Sequence, residues 1–183
     1  MNRLLVATAL VAALPALAAA QAPAAPAANA AITAVRSVAM PYESVKTFVL
    51  KAAEDMPEAK YGYRPVDGVR TFGQLVGHVA DAQQMFCAGA LGEAPPTTSV
   101  ERTATTKEAL VAGLRASIAT CDRAYAQADA AAMQPMTLFG QQTTRLGALS
   151  MNAAHSYEHY GNLVTYMRLN KIVPPSSERS GMD

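Results

Sequence analysis

Apolar residues recur along this chain at the three-to-four spacing of buried helical stripes. From Pro41 to Met56, the positions Val45, Phe48, Val49, Ala52 and Met56 fall on one helical face, and Pro41 suits a first helical turn. The chain upstream, from Ala31 to Val38, gives no clear sign of whether it extends this helix. Pro57 to Asp67 reads as a loop. A second helix starts sharply: Thr71 followed three residues later by Gln74 is a capping box, and Gly92 can end the helix after Leu91. Gly92 to Ala104 reads as a loop on Pro95, Pro96 and the Thr/Ser cluster. Thr105 with Glu108 predicts the next start, and Leu110, Val111, Leu114, Ile118, Cys121 and Tyr125 form its stripe. Asp129 to Gln142, with Pro135 and Gly140, reads as another loop. The last helix runs from Thr143 or Thr144 to about Asn170, because Pro174 and Pro175 cannot continue it. No alternating strand pattern stands out. The expected fold class is all-α, a four-helix bundle over residues 31–175 whose longer loops leave room for crossover connections.

The first thirty residues follow different rules. Asn2 and Arg3 precede an apolar run from Leu4 to Ala18, with small residues to Ala20. This is the layout of a secretory signal peptide over residues 1–20. The run of about 15 residues is short for a membrane span, and an uncleaved anchor is the competing reading. Residues 21–30 (QAPAAPAANA) form an Ala/Pro-rich linker, and residues 176–183 a polar, flexible tail. The expected location is periplasmic or secreted, with no membrane attachment after cleavage. The chain has 15 Lys+Arg and 14 Asp+Glu, and Arg3 is the sole charge before residue 31. The remaining balance is neutral, which gives no footprint for nucleic acid. Cys87 and Cys121 are the only cysteines. In an oxidising compartment the pair suggests a disulfide; two buried thiols are the alternative.

Candidate chemistry centres on the three histidines. His155 and His159 are four apart on the last helix, which brings both rings to one face within reach of a single ion. His78 shares a helical face with Leu75, Ala82 and Met85 and should point inward. Three neutral imidazoles with one open position form a catalytic zinc arrangement, although ligand type alone does not separate zinc from nickel, iron or manganese. The competing reading is a polar outer face, because Asn152, Asn162 and Tyr166 lie with the pair while Leu146, Leu149, Ala153, Tyr160, Val164 and Met167 form an apolar stripe elsewhere. Glu158 lies between the paired histidines, as a candidate base, a partner for a ligand, or a plain surface carboxylate. HSYEH matches the inverted zinc-protease motif, but no further acidic ligand follows outside the tail, so a protease is rejected. Tyr61, Tyr63, Tyr157, Tyr160 and Tyr166 either line a pocket or pack helices and loops.

Two segments resemble the DinB family: MPEAKYGYRPVDGVRTFGQLVGHVADAQ (Met56 to Gln83) and HSYEHYGNLVTYMRLNKIVPPSS (His155 to Ser177). The resemblance implies a four-helix bundle with an unusual connection order. It implies one divalent metal ion, zinc or nickel, held by His78, His155 and His159, and frequent homodimerisation. Related proteins include thiol-dependent S-transferases, a mycothiol-dependent isomerase and proteins described as metal-dependent hydrolases. The expected function is therefore a metal-dependent hydrolase or thiol S-transferase acting on an unknown small molecule, with Glu158 or Asn152 assisting. The alternatives are a non-catalytic metal or small-ligand binding module and an interaction protein with a vestigial site. Export sets this chain apart, because low-molecular-weight thiols are scarcer outside the inner membrane.

Overall fold

The computed structural model describes residues 32–178. The expected signal peptide and linker, and residues 179–183 of the expected tail, lie outside them. Four long helices make the body: α1 (Ala34–Asp55), α2 (Phe72–Leu91), α4 (Lys107–Tyr125) and α6 (Arg145–Leu169). Between α2 and α4 lies the one-turn helix α3 (Val100–Thr103). Between α4 and α6 lie α5 (Asp129–Ala132) and a hairpin of β1 (Pro135–Leu138) with β2 (Gln141–Thr144). No described helix is long and apolar enough to cross a membrane.

The helices pack in the cyclic order α1, α6, α2, α4. Consecutive long helices α1 and α2 therefore sit across one diagonal, and α4 and α6 across the other. An up-down-up-down bundle would place consecutive helices side by side, so two of the three long connections here are crossovers.

Local signals account for α2 and α6. Thr71 accepts from Gln74 N and the Gln74 side chain accepts from Thr71 N, and Gly92 takes a left-handed conformation at the far end. Thr144 caps α6 and Asn170 closes it. The capping residue of α4 is Thr106, one position beyond the expected Thr105, and it accepts from Ala109 N.

Three segments depart from the expectation. Helix α1 begins at Ala34, so Pro41 is interior to it instead of in its first turn. The Asp129 carboxylate accepts from Ala34 N and Val35 N, and Thr33 accepts from Arg36 N. This long-range cap fixes the earlier start. Pro41 removes one hydrogen bond, to the Ser37 carbonyl, on an exposed face where water can take it up. Second, the segment read as a loop from Asp129 to Gln142 holds α5 and the hairpin. Its turn residues, Phe139 and Gly140, both have positive φ (50° and 77°), a conformation that Phe does not advertise. Third, the chain expected to fray after Pro175 forms a 3-10 turn, Pro175–Ser177, held by the hydroxyl pair Tyr160 Oη to Ser176 Oγ at 2.8 Å.

The core divides along the bundle axis. One apolar cluster includes Val45, Val49, Phe72, Val76, Leu114 and Leu163; the other includes Tyr42, Cys87, Cys121, Tyr125 and Leu149. Between them, on three different helices, are the buried polar residues Gln83, Ser117 and Ser156. Ser117 donates to Gln83 Oε1 at 2.8 Å, and Gln83 Nε2 reaches Ser156 Oγ at 3.5 Å. This internal pairing lets the middle of the bundle tolerate a polar layer. Cys87 and Cys121 form a disulfide joining α2 to α4, with a Cα–Cα distance of 4.9 Å.

Candidate metal centre

Helix α2 supplies His78 and the facing helix α6 supplies His155 and His159. The α6 rings meet because four residues make slightly more than one turn. Their Nε2 atoms face each other at 3.0 Å. His78 closes the group, with ring centroids 5.2 Å from His155 and 4.8 Å from His159, and one nitrogen from each ring falls within 4.8 Å of the others. A tetrahedral zinc ion with bonds of about 2.0–2.1 Å needs its ligand nitrogens about 3.3 Å apart. The α6 pair is already near that spacing, and a gap at the 4.8 Å limit would close with a movement of about 1.5 Å. Two imidazole nitrogens facing at 3.0 Å must share one proton or one cation, so the donor set fits a metal ion.

Burial keeps the α6 rings uncharged. It pushes His155 down to about 4, with the neighbouring His159, His78 and Arg70 adding to the effect. His159 is lowered first by burial and then by His78 and Arg70, while Glu158 and Glu101 pull the other way. Neutral imidazole is the form that ligates. The Nδ1 atoms of both rings are buried without a hydrogen-bond partner among the described residues.

His78 is different. Its Nδ1 lies 3.3 Å from Glu101 Oε2, and Arg70 Nε donates to Glu101 Oε1 at 2.8 Å. Among the described residues, Glu101 is the only carboxylate within 4 Å of a site histidine. Neither Glu101 nor Arg70 was legible in the sequence, because each flanks a helix start and no local spacing ties them to His78.

The other candidates are spread around this group. Glu158 is exposed on α6, and its backbone carbonyl accepts from Asn162. Asn152 is fully buried and turns toward the disulfide end, donating to Tyr125 Oη at 3.1 Å. Four of the five tyrosines anchor packing: Tyr61 donates to Ala53 O, Tyr160 pairs with Ser176, Tyr166 donates to Arg70 O, and Tyr63 meets Tyr166 edge-on. Tyr157 is exposed. The histidines occupy the α2–α6 seam, and the polar outer face is not where they lie. Phe86 packs edge-on against His155 and against Phe139 of the hairpin turn, which gives one flank of the site an aromatic wall.

A sequence model of the DinB superfamily matches residues 43–163, a span that contains all three histidines. The chain belongs to the DinB superfamily. Two solved structures share the fold of this DinB-family chain. A DinB-like protein from Bacillus cereus aligns with a TM-score of 0.65 at 13% identity, covering 75% of this chain and 93% of that one. A DinB-like protein from Bacillus subtilis aligns at 0.61 and 20% identity, covering 78% and 99%. At these identities the likeness shows the fold alone. No curated protein matches the sequence.

The depressed His155 has a consequence for the metal-free protein. Unfolded, the imidazole takes up a proton near pH 6.5; folded, it resists until about pH 4. Its contribution to stability is therefore complete above pH 6.5 and lost as pH falls toward 4. Discounted for partial exposure, the loss is about 1–2 kcal/mol. Urea unfolding of the metal-free protein across this range should show it, and His155→Gln should flatten the dependence. Equal pH slopes in both proteins would refute the assignment.

Proposed function

We propose that this DinB-family protein is an exported, metal-dependent hydrolase that holds one zinc or nickel ion through His78, His155 and His159. The observation that carries the reading is the convergence of three imidazoles, two of them kept neutral by burial, from facing helices. Three nitrogen donors leave one of four positions for water or substrate. A divalent ion held there supplies Lewis acidity toward water or a substrate oxygen. The chain's own part is to hold the ion, keep the α6 rings deprotonated and shield one flank with Phe86 and Phe139.

Hydrolysis is favoured over thiol transfer by the Cys87–Cys121 disulfide. Such a bond persists in an oxidising compartment, in line with the signal-peptide layout of residues 1–20, and a thiol cosubstrate is scarce there. A non-catalytic metal-binding role is favoured by one observation: the nearest carboxylate, Glu101, is already engaged by Arg70 and His78, and Glu158 is exposed.

Turnover distinguishes the two. Zinc-loaded protein should hydrolyse activated esters, lose that activity to a chelator or to His155→Ala with His159→Ala, and gain nothing from added thiol. Glu158→Gln that keeps its zinc but loses activity would assign proton handling to Glu158. Stoichiometric zinc with no turnover, with or without thiol, would establish the binding role.

A further inference from the structure

We infer that Glu101 is a positioning residue for the metal centre, and that the one-turn helix α3 exists in this fold to hold it against His78. The inference rests on the metal-binding reading above and deepens it.

The sequence builds α3 into α2 by three separate devices. The first is a close approach at Gly77, the residue before His78. A Cβ placed there would fall 2.6 Å from Glu101 Cα and 2.8 Å from Glu101 N, closer than real Cβ contacts allow. Only glycine lets the α3 backbone lie directly on α2 beside the histidine. The second is Asp81, one turn further along α2. Its carboxylate accepts from Ser99 Oγ at 2.6 Å, Val100 N at 2.6 Å and Glu101 N at 3.1 Å. It thereby satisfies the free N–H groups at the start of a helix too short to hold itself. The third is Gly113 on α4, where a Cβ would fall 2.6 Å from Val100 Cγ1. Two helices thus each leave out a side chain to seat one four-residue turn.

What this seating delivers is a single carboxylate. Glu101 Oε2 lies 3.3 Å from His78 Nδ1, and Arg70 Nε binds the other oxygen at 2.8 Å. A carboxylate against one ring nitrogen favours a proton on that nitrogen and leaves the lone pair of Nε2 for an ion. His155 and His159 have no such partner among the described residues; their rings are placed by burial and by each other. His78 stands alone on α2, so its orientation depends on a partner from outside that helix. Arg70 prevents the Glu101 carboxylate from turning away.

The test is zinc and cobalt(II) affinity of the full-length protein and its Glu101→Ala, Glu101→Gln and His78→Ala variants, with the melting temperature of each metal-free protein as a control. Glu101→Ala should bind zinc about 10–100-fold more weakly than the parent. Glu101→Gln, whose amide oxygen still accepts from Nδ1, should recover part of that loss. The visible cobalt(II) bands of both Glu101 variants at saturation should keep the parent's shape, because the ligand set is unchanged. Altered bands would make Glu101 a ligand itself and overturn the positioning role. A Glu101→Ala affinity equal to the parent's, with His78→Ala weakened, would remove Glu101 and leave the metal centre standing. A parent that binds neither metal would remove both.

Discussion

Replacing Cys87 and Cys121 together by alanine should destabilise the protein by about 4 kcal/mol, the value that chain-entropy arguments give for a loop closed across 34 residues. For a domain of this size that is a drop of about 10 °C in melting temperature. The bond joins α2 to α4, and α2 is the helix that carries His78. Its surroundings argue for a structural clamp: Cys87 and Cys121 are fully buried in the cluster that contains Tyr42, Tyr125 and Leu149. Tyr42 and Tyr125 stack at 4.0 Å, Tyr125 donates to Leu149 O, and Asn152 donates to Tyr125. The alanine pair leaves this packing largely in place, so the loss should come from the relaxed unfolded chain. Urea unfolding of parent and variant measures it. A difference below about 1 kcal/mol would mean that the cysteines serve only as small core residues.

Zinc should raise the stability of the parent by about 4 kcal/mol when free metal exceeds its dissociation constant about a thousandfold. The increment should be absent from the His155→Ala, His159→Ala variant. An ion that binds three histidines on two helices binds the folded chain and has no equivalent site in the unfolded one, so its binding free energy adds to stability. The Nε2 atoms of the two α6 rings lie 3.0 Å apart, so little movement of this pair offsets the gain. Thermal unfolding at fixed free zinc gives the comparison. An equal shift in the variant would place the stabilising ion elsewhere.

The three-histidine group and most of the bundle were readable in the sequence where the signals were local. The capping box at Thr71 and Gln74, Gly92 after Leu91, and the stop at Pro174 set the ends of α2 and α6 within a residue or so. The His155–His159 spacing and the apolar company of His78 were enough to group the three rings. Most of the features that escaped depend on residues distant in sequence. Asp129 starts α1 from 95 residues away, so Pro41 looked like a beginning when it is an interior position. The hairpin uses Phe139 and Gly140 where Asn-Gly would have announced a turn, and its strands are only four residues long. Glu101 and Arg70 come together through α3, a helix whose start is capped by Asp81 of another helix. Asn152 looked like a neighbour of the histidines on a helical wheel, yet tertiary packing commits it to Tyr125.

Metal content per chain tests the central claim most directly. The protein expressed from its whole sequence should carry about one equivalent of zinc or nickel by mass spectrometry. The His155→Ala, His159→Ala variant prepared alongside should carry none. A parent that holds no metal, even after reconstitution with zinc and with nickel, would contradict the account.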